Sequence, residues 1–250
     1  DHRDLHSFPT RRSSDLFAEG NGVPPSELHR FYEVVTEDNA QRAVAALEDH
    51  ILPLAPNLLE DLRLGIDVLD IGCGRGYVLN KLAQLFPNSQ FTGYDLNENA
   101  IATAIHRAQS QQLPNVHFQV RDTARLEEIE TYNLITSFDA MQDQAAPAQL
   151  LRNIYNALRP DGVYLMQEIH AASDVSGNLN HPLAPLLYTV SCMHCMTVAP
   201  AVTAATAADD LELVTGREKA SELLREAGFT DIEIKQLPHD VVNDYYIVCK

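Results

Sequence analysis

The sequence is short of positive charge. Its 18 Lys and Arg face 35 Asp and Glu, a formal net charge of −17. A chain this acidic repels a phosphate backbone, which argues against nucleic-acid binding by this part of the protein. No apolar run approaches the ~20 residues needed to span a bilayer, and no signal peptide is visible, so the expected compartment is the cytoplasm and no membrane partner is expected. There are only four cysteines, Cys73, Cys192, Cys195 and Cys249. They form no disulfide framework, which fits a reducing compartment. Cys192-x-x-Cys195, with His194 between, lacks a second ligand pair at comparable spacing, so no metal is expected.

The chain does not begin with Met. Its opening, "DHRDLHSFPTRRSSDL", has neither helical nor strand periodicity. Back-translated, these residues match the adapter ligated to DNA fragments for short-read sequencing. We therefore expect residues 1–16 to be a disordered artefact, with the gene's own beginning missing. That opening holds three Arg and three Asp, so the whole charge imbalance lies in residues 17–250. This length suits one domain, and 45% apolar residues are enough for a real core.

From Ile66 onward strand and helix patterns alternate. "IDVLDI" reads as a first strand, followed by a Gly-rich turn and "YVLNKLAQLF" at helical period. "QFTGYD" is a second strand, and "NENAIATAIHRAQSQQ" a helix opened by an Asn cap. "VHFQVRD" and "YNLITSFD" are the third and fourth strands. "PAQLLRNIYNAL" is a helix closed by a turn at "RPDG", and "VYLMQEI" is the fifth strand. "REKASELLREAGF" is a helix stopped by Gly228, and "DIEIKQL" and "DYYIVCK" are two final strands joined by a short return. The pattern implies an α/β, Rossmann-like doubly wound sheet of about seven strands, with the last antiparallel and helices on both faces. Residues 17–62 read as an N-terminal helical cap and 63–250 as the main domain. The long connection at about 170–216 reads as a lid.

The first turn, "LDIGCGRGY", carries Asp70, Gly72, Gly74 and Gly76. Glycines there let the backbone approach a ligand and open a helix whose amides point at it. The spacing is G-x-G-x-G, with Tyr77 where a dinucleotide fingerprint needs its third glycine. Asp95 ends the second strand, where a carboxylate can accept both hydroxyls of a ribose. Asp122 ends the third, within reach of an exocyclic adenine amine. Three acids on the carboxyl edge of neighbouring strands suit a nucleoside carrying a positive sulfonium better than a pyrophosphate.

"VLDIGCGRGYVLNKLAQLFPNSQFTGYDLNENAI", "VRD" and "LRPDGVYLMQEI" resemble the class I S-adenosylmethionine-dependent methyltransferases. "FYEVVTEDNAQ", "FDAMQDQ", "HPLAPLLYTVSCMHCMTV" and "AGFTDIEIKQLPHDVVNDYY" are similar to a bacterial group of methyltransferase-domain proteins that carry an N-terminal winged-helix segment, absent here. The resemblance implies S-adenosyl-L-methionine as cofactor. It implies that Asp70, Gly72, Gly74 and Gly76 line its amino-acid moiety and ribose, and that Asp95 holds the ribose with Leu96 beside the adenine. Asp122 and Thr123 would meet the adenine edge, and Phe138 and Asp139 would floor the pocket near the sulfonium. In "FDAMQDQ" such relatives often carry His where this chain has Gln142, and Gln cannot serve as a base. The Asn/Asp-Pro-Pro-aromatic motif of amine-directed nucleic-acid methyltransferases is missing.

Methyl transfer needs alignment in a dry pocket, and a base only where the acceptor must lose a proton. Asp143, Tyr188 and His194 are the leading catalytic candidates, with His170 and His181 also near the expected mouth. "LLYTVSCMHCM" would roof a pocket for a small hydrophobic methyl acceptor, and a homodimer is the assembly to test. The other readings are a cofactor-binding module with reduced or lost catalysis and an NAD-dependent oxidoreductase.

Overall fold

The computed structural model describes residues 40–141, 146–193 and 216–250. Seven strands form one sheet in the order β3-β2-β1-β4-β5-β7-β6. They are β1 Asp67–Ile71, β2 Gln90–Asp95, β3 Val116–Val120, β4 Tyr132–Phe138, β5 Leu158–Ile169, β6 Asp231–Leu237 and β7 Asp240–Cys249. β1 to β5 pair in parallel, whereas β7 runs antiparallel to both β5 and β6. The expected doubly wound sheet with a reversed final strand is therefore what forms.

The helices are α1 Leu58–Leu64, α2 Tyr77–Leu85, α3 Glu98–Ser110, α4 Pro147–Ala157, α5 Ala184–Met193 and α6 Arg217–Ala227. Helix also runs from Ala40, widening to a π-turn over Leu47–Ile51. Ala43, Leu47, Ile51, Leu52, Leu58 and Leu62 from this leading stretch are buried with α2 and α3 in one core. Residues 40–62, the described part of the stretch read as a helical cap, share the domain's own core on that face. The other face is covered by α4 and α6, whose Leu150, Ile154 and Leu224 pack, together with Phe229 just after α6, on Ile71, Ile135 and Tyr164. Burial of both faces explains the nearly continuous apolar runs of β1 and β4.

Local signals act as expected at both ends of helices. The Asn97 side chain accepts from the amides of Asn99 and Ala100, capping α3. Gly228 ends α6 at φ +115°, a left-handed conformation that glycine adopts without a side-chain clash.

Two boundaries differ from expectation. "RPDG" is not a turn between α4 and β5 but an irregularity inside β5. Leu158 pairs with Tyr132 and Val163 pairs with Leu134, so the residues between bulge from the ladder. β7 begins at Asp240 rather than Asp244, because Leu237 pairs directly with Asp240 across a two-residue hairpin. No helix among the described residues is long and apolar enough to cross a membrane.

Candidate active site on the carboxyl edge of the sheet

The order reverses at β1, from which β2 and β3 extend one way and β4 and β5 the other. A crevice opens at such a point above the carboxyl ends of the strands. Asp70, Asp95, Asp122 and Asp139 lie at or just beyond the ends of β1 to β4. The sheet therefore brings the expected acids to one edge.

The turn after β1 is locked from several sides. The Gly72 and Cys73 amides both donate to the Tyr94 carbonyl, at 2.9 and 3.1 Å, and the Gly76 amide donates to the Cys73 carbonyl at 2.9 Å. Gly72, Gly74 and Gly76 all have φ between +52° and +69°. Space is short as well: a Cβ on Gly72 would lie 2.6 Å from Ala140 Cβ, and one on Gly76 would lie 2.7 Å from the Phe118 ring. The glycines are thus required by the turn whether or not a ligand is bound.

Asp95 is tied into this turn. Its Oδ2 accepts from the Gly74 amide at 2.9 Å and its Oδ1 from the Asn97 amide at 2.8 Å. Each carboxylate oxygen keeps a second lone pair, so the group is oriented and still able to accept from two hydroxyls. Asp70 is buried, and its Oδ1 accepts from the Thr136 hydroxyl at 2.7 Å. Burial pushes its carboxyl up to about 7, the Thr136 bond opposes this, and the nearby Asp95 charge adds to it. Burial, with Asp70 and Asp95 beside it, also pushes the Cys73 thiol up and keeps it protonated. A pyrophosphate fits this turn poorly: four of its amides are already bonded and two carboxylates flank it.

The remaining expected cofactor residues lie along the same edge. Leu96 is 65% exposed, an uncovered apolar side chain beside Asp95. Asp122 caps the short 3-10 turn Thr123–Arg125 by accepting from the Ala124 amide at 3.0 Å. Thr123 is buried beneath it. Phe138 is partly buried against the core. Asp139 turns the chain at φ +52°, and its Oδ2 accepts from the buried Gln167 amide at 3.1 Å.

Of the catalytic candidates, Asp143 and His194 lie outside the described residues, as do Gln142 and Cys195. Tyr188 sits on α5, and its hydroxyl accepts from Asn178 Nδ2 at 3.0 Å. Asn178 also donates to the carbonyls of Ala172 and Asp174 and accepts from the Ala172 amide, which knits the connection after β5 to α5. The His170 and His181 rings meet at a tilt of 47°, with centroids 5.1 Å apart. Sequence reasoning missed what holds His170: the fully buried Asp244 on β7 and Arg217 at the start of α6. These residues are 74 and 47 positions away, so no local spacing could reveal them. Among the described residues no group of three or more His, Cys, Asp or Glu is placed to hold a metal.

The fold and this edge define a class I S-adenosylmethionine-dependent methyltransferase domain. The chain belongs to the methyltransferase domain family, whose model matches residues 62–235. It is similar to malonyl-[acyl-carrier protein] O-methyltransferase of Bacillus cereus, with 38% identity over 43% of this chain and 42% of that protein. It is also similar to trans-aconitate 2-methyltransferase of Deinococcus radiodurans, with 35% identity over 40% of this chain and 36% of that protein. The chain thus spans less than half the length of these curated relatives. Among solved structures, a methyltransferase from Aquifex aeolicus superposes with a TM-score of 0.54 and 14% identity, over 77% of this chain and 87% of that one. An O-methyltransferase family protein from Burkholderia thailandensis gives 0.59 and 14%, over 84% and 60%.

Proposed function

We propose that the protein transfers the methyl group of S-adenosyl-L-methionine to a small, mainly apolar molecule by in-line displacement. The observation that carries this reading is Asp95, held by the Gly74 and Asn97 amides beside a glycine turn whose own amides are spent. That arrangement favours a ribose and a cationic sulfonium over a dinucleotide pyrophosphate. Asp95 would bind the ribose, Asp70 and the glycines the amino-acid end, Leu96, Asp122 and Thr123 the adenine, and Phe138 and Asp139 the sulfonium side. The chain's own contribution to rate is alignment of acceptor and methyl in a site shielded from water. Acidity along the edge disfavours a nucleic acid as acceptor.

Calorimetry tests the reading. S-adenosylmethionine should bind and NAD should not, and Asp95→Ala should remove the binding. Binding of NAD with equal strength would return the oxidoreductase reading. Binding of S-adenosylmethionine without turnover of any acceptor would favour a module that has lost catalysis.

A further inference from the structure

A second constellation stands on the same edge, two strands from the glycine turn. His170 follows β5, and three residues before it Gln167 pairs with Phe138 of β4. His170 therefore stands beyond the end of β5, one strand over from the Phe138–Asp139 floor and three residues, about 10 Å, further along the strand direction. His170 Nδ1 is 3.0 Å from both Asp244 oxygens. Arg217 closes the group, its Nε and Nη2 donating to the two oxygens of Asp244, at 3.1 and 2.6 Å. The two Asp244 oxygens at 3.0 Å favour a proton on Nδ1 over the Arg217 Nη2 donor at 3.3 Å, and Nε2 of the neutral ring then keeps its lone pair.

That ring lines a cavity of about 430 Å³ with His181, Leu237, Pro238, Asp240 and Val241. The volume is within the usual range for small-molecule sites. The side chain of His170 is 28% exposed, although Asp244 behind it is fully buried. Among the described residues, the charged and titratable groups around it are Asp240, Asp244, Tyr245 and Tyr246 on β7, Arg217 and Glu218 on α6, and His181 on the connection after β5. Glu218 is taken up by the Ser173 amide and hydroxyl. Arg217 is taken up by Asp244. Among the described residues lining the cavity there is no Lys or Arg to receive a carboxylate, and Asp240 would repel one.

We propose that His170 is the catalytic base for a neutral hydroxyl acceptor with an apolar body, of the phenol or enol class, seated in this cavity. Asp244 and Arg217 are positioning residues that fix its tautomer. In the step, the acceptor O–H bond breaks and its proton passes to His170 Nε2. The oxygen lone pair forms the bond to the methyl carbon. The C–S bond of the sulfonium breaks with its electron pair going to sulfur, leaving an ether and a neutral thioether. The imidazolium, paired with Asp244, then releases the proton to water. This inference rests on the methyl-transfer reading above.

The test uses 2-naphthol as probe with S-adenosylmethionine, following the methyl ether and S-adenosylhomocysteine by mass spectrometry. His170→Asn keeps a donor near the Nδ1 position for Asp244 and deletes the base, so it separates chemistry from support. The expected result is a fall in kcat of about 100- to 10,000-fold with KM for naphthol nearly unchanged. Cofactor affinity by calorimetry should match wild type. Wild-type rate in His170→Asn, or no methylation of 2-naphthol by the wild-type protein, would overturn the proposal while leaving the cofactor reading intact if S-adenosylmethionine binds. Faster methylation of 2-naphthoate than of 2-naphthol would also overturn it. Failure of the wild type to bind S-adenosylmethionine would instead defeat the underlying reading.

Discussion

The two halves of the sheet's carboxyl edge are built in opposite ways. Over β1 and β2 the site is a product of local sequence. Five residues carry the three glycines; the Gly76 amide is satisfied within the turn by Cys73, and those of Gly72, Cys73 and Gly74 by Tyr94 and Asp95, about 20 positions away on the adjacent strand. Over β5 and β7 the site is assembled from His170, Arg217 and Asp244, which meet only when the last strand has inserted between β5 and β6. The first half is rigid and crowded, as the close approaches at Gly72 and Gly76 show. The second is open, with a cavity rimmed by prolines and histidines. A rigid half suits one invariant cofactor, and an open half suits an acceptor that differs between family members.

The largest expected effect breaks the first half alone. Asp95→Ala should weaken S-adenosylmethionine by at least about 100-fold, since two hydrogen bonds to a charged acceptor are worth about 3–6 kcal/mol together. Calorimetry with naphthol as the second ligand should show the acceptor half unaffected. Parallel loss of both affinities would mean that the halves are a single unit.

Asp70 sharpens the same half through pH. Its folded-state value of about 7 lies above the ordinary 3.8, so between these values the folded protein holds a proton that the unfolded chain has released. Stability from this group is therefore complete below about pH 4, falls as pH rises toward 7, and then stays level. The total is about 4 kcal/mol, at 1.36 kcal/mol per unit. Asp70→Asn keeps an acceptor for Thr136 and removes the charge. Its stability relative to wild type in urea titrations should grow across that window. A cationic cofactor favours the ionised form, so affinity for S-adenosylmethionine should rise over the same range in wild type only. A constant gap between the two proteins at all pH values would refute the buried-acid account.

What was legible in the sequence follows the same division. Strand ends at Asp95 and near Asp70 were readable because apolar strand, glycine turn and amphipathic helix follow one another within one crossover. The Asn97 cap and the Gly228 stop were readable because capping is a local event. The "RPDG" segment misled because Pro and Gly favour turns in isolation. Here β4 pairs with both flanks of the segment, and β7 holds the second flank from its other side. His170 was visible only as a histidine near the mouth, because its meaning depends on Asp244, buried in a strand that nothing local ties to β5.

Gly76→Ala measures how much of the first half's rigidity is structural. A left-handed φ of +69° costs a residue with a Cβ about 1–2 kcal/mol, and contact with the Phe118 ring and Ala104 adds a similar amount. Thermal or urea unfolding should show a loss of about 3 kcal/mol without cofactor present. An unfolding midpoint equal to that of wild type would mean that the turn relaxes and that the glycine serves the ligand alone.

Tyr188→Phe is expected to do least, and for that reason it separates two accounts of the second half. Its hydroxyl accepts from Asn178, which has its other bonds to Ala172 and Asp174 within the same connection. Removing one neutral hydrogen bond should cost about 1 kcal/mol, and most of it locally, in the segment between β5 and α5. KM for naphthol should rise a few-fold, kcat should hold within about two-fold, and cofactor affinity should not move. A loss in kcat comparable with that of His170→Asn would transfer the role of base from the imidazole to the phenol. The second half would then be organised around α5 rather than around the β5–β7 pair.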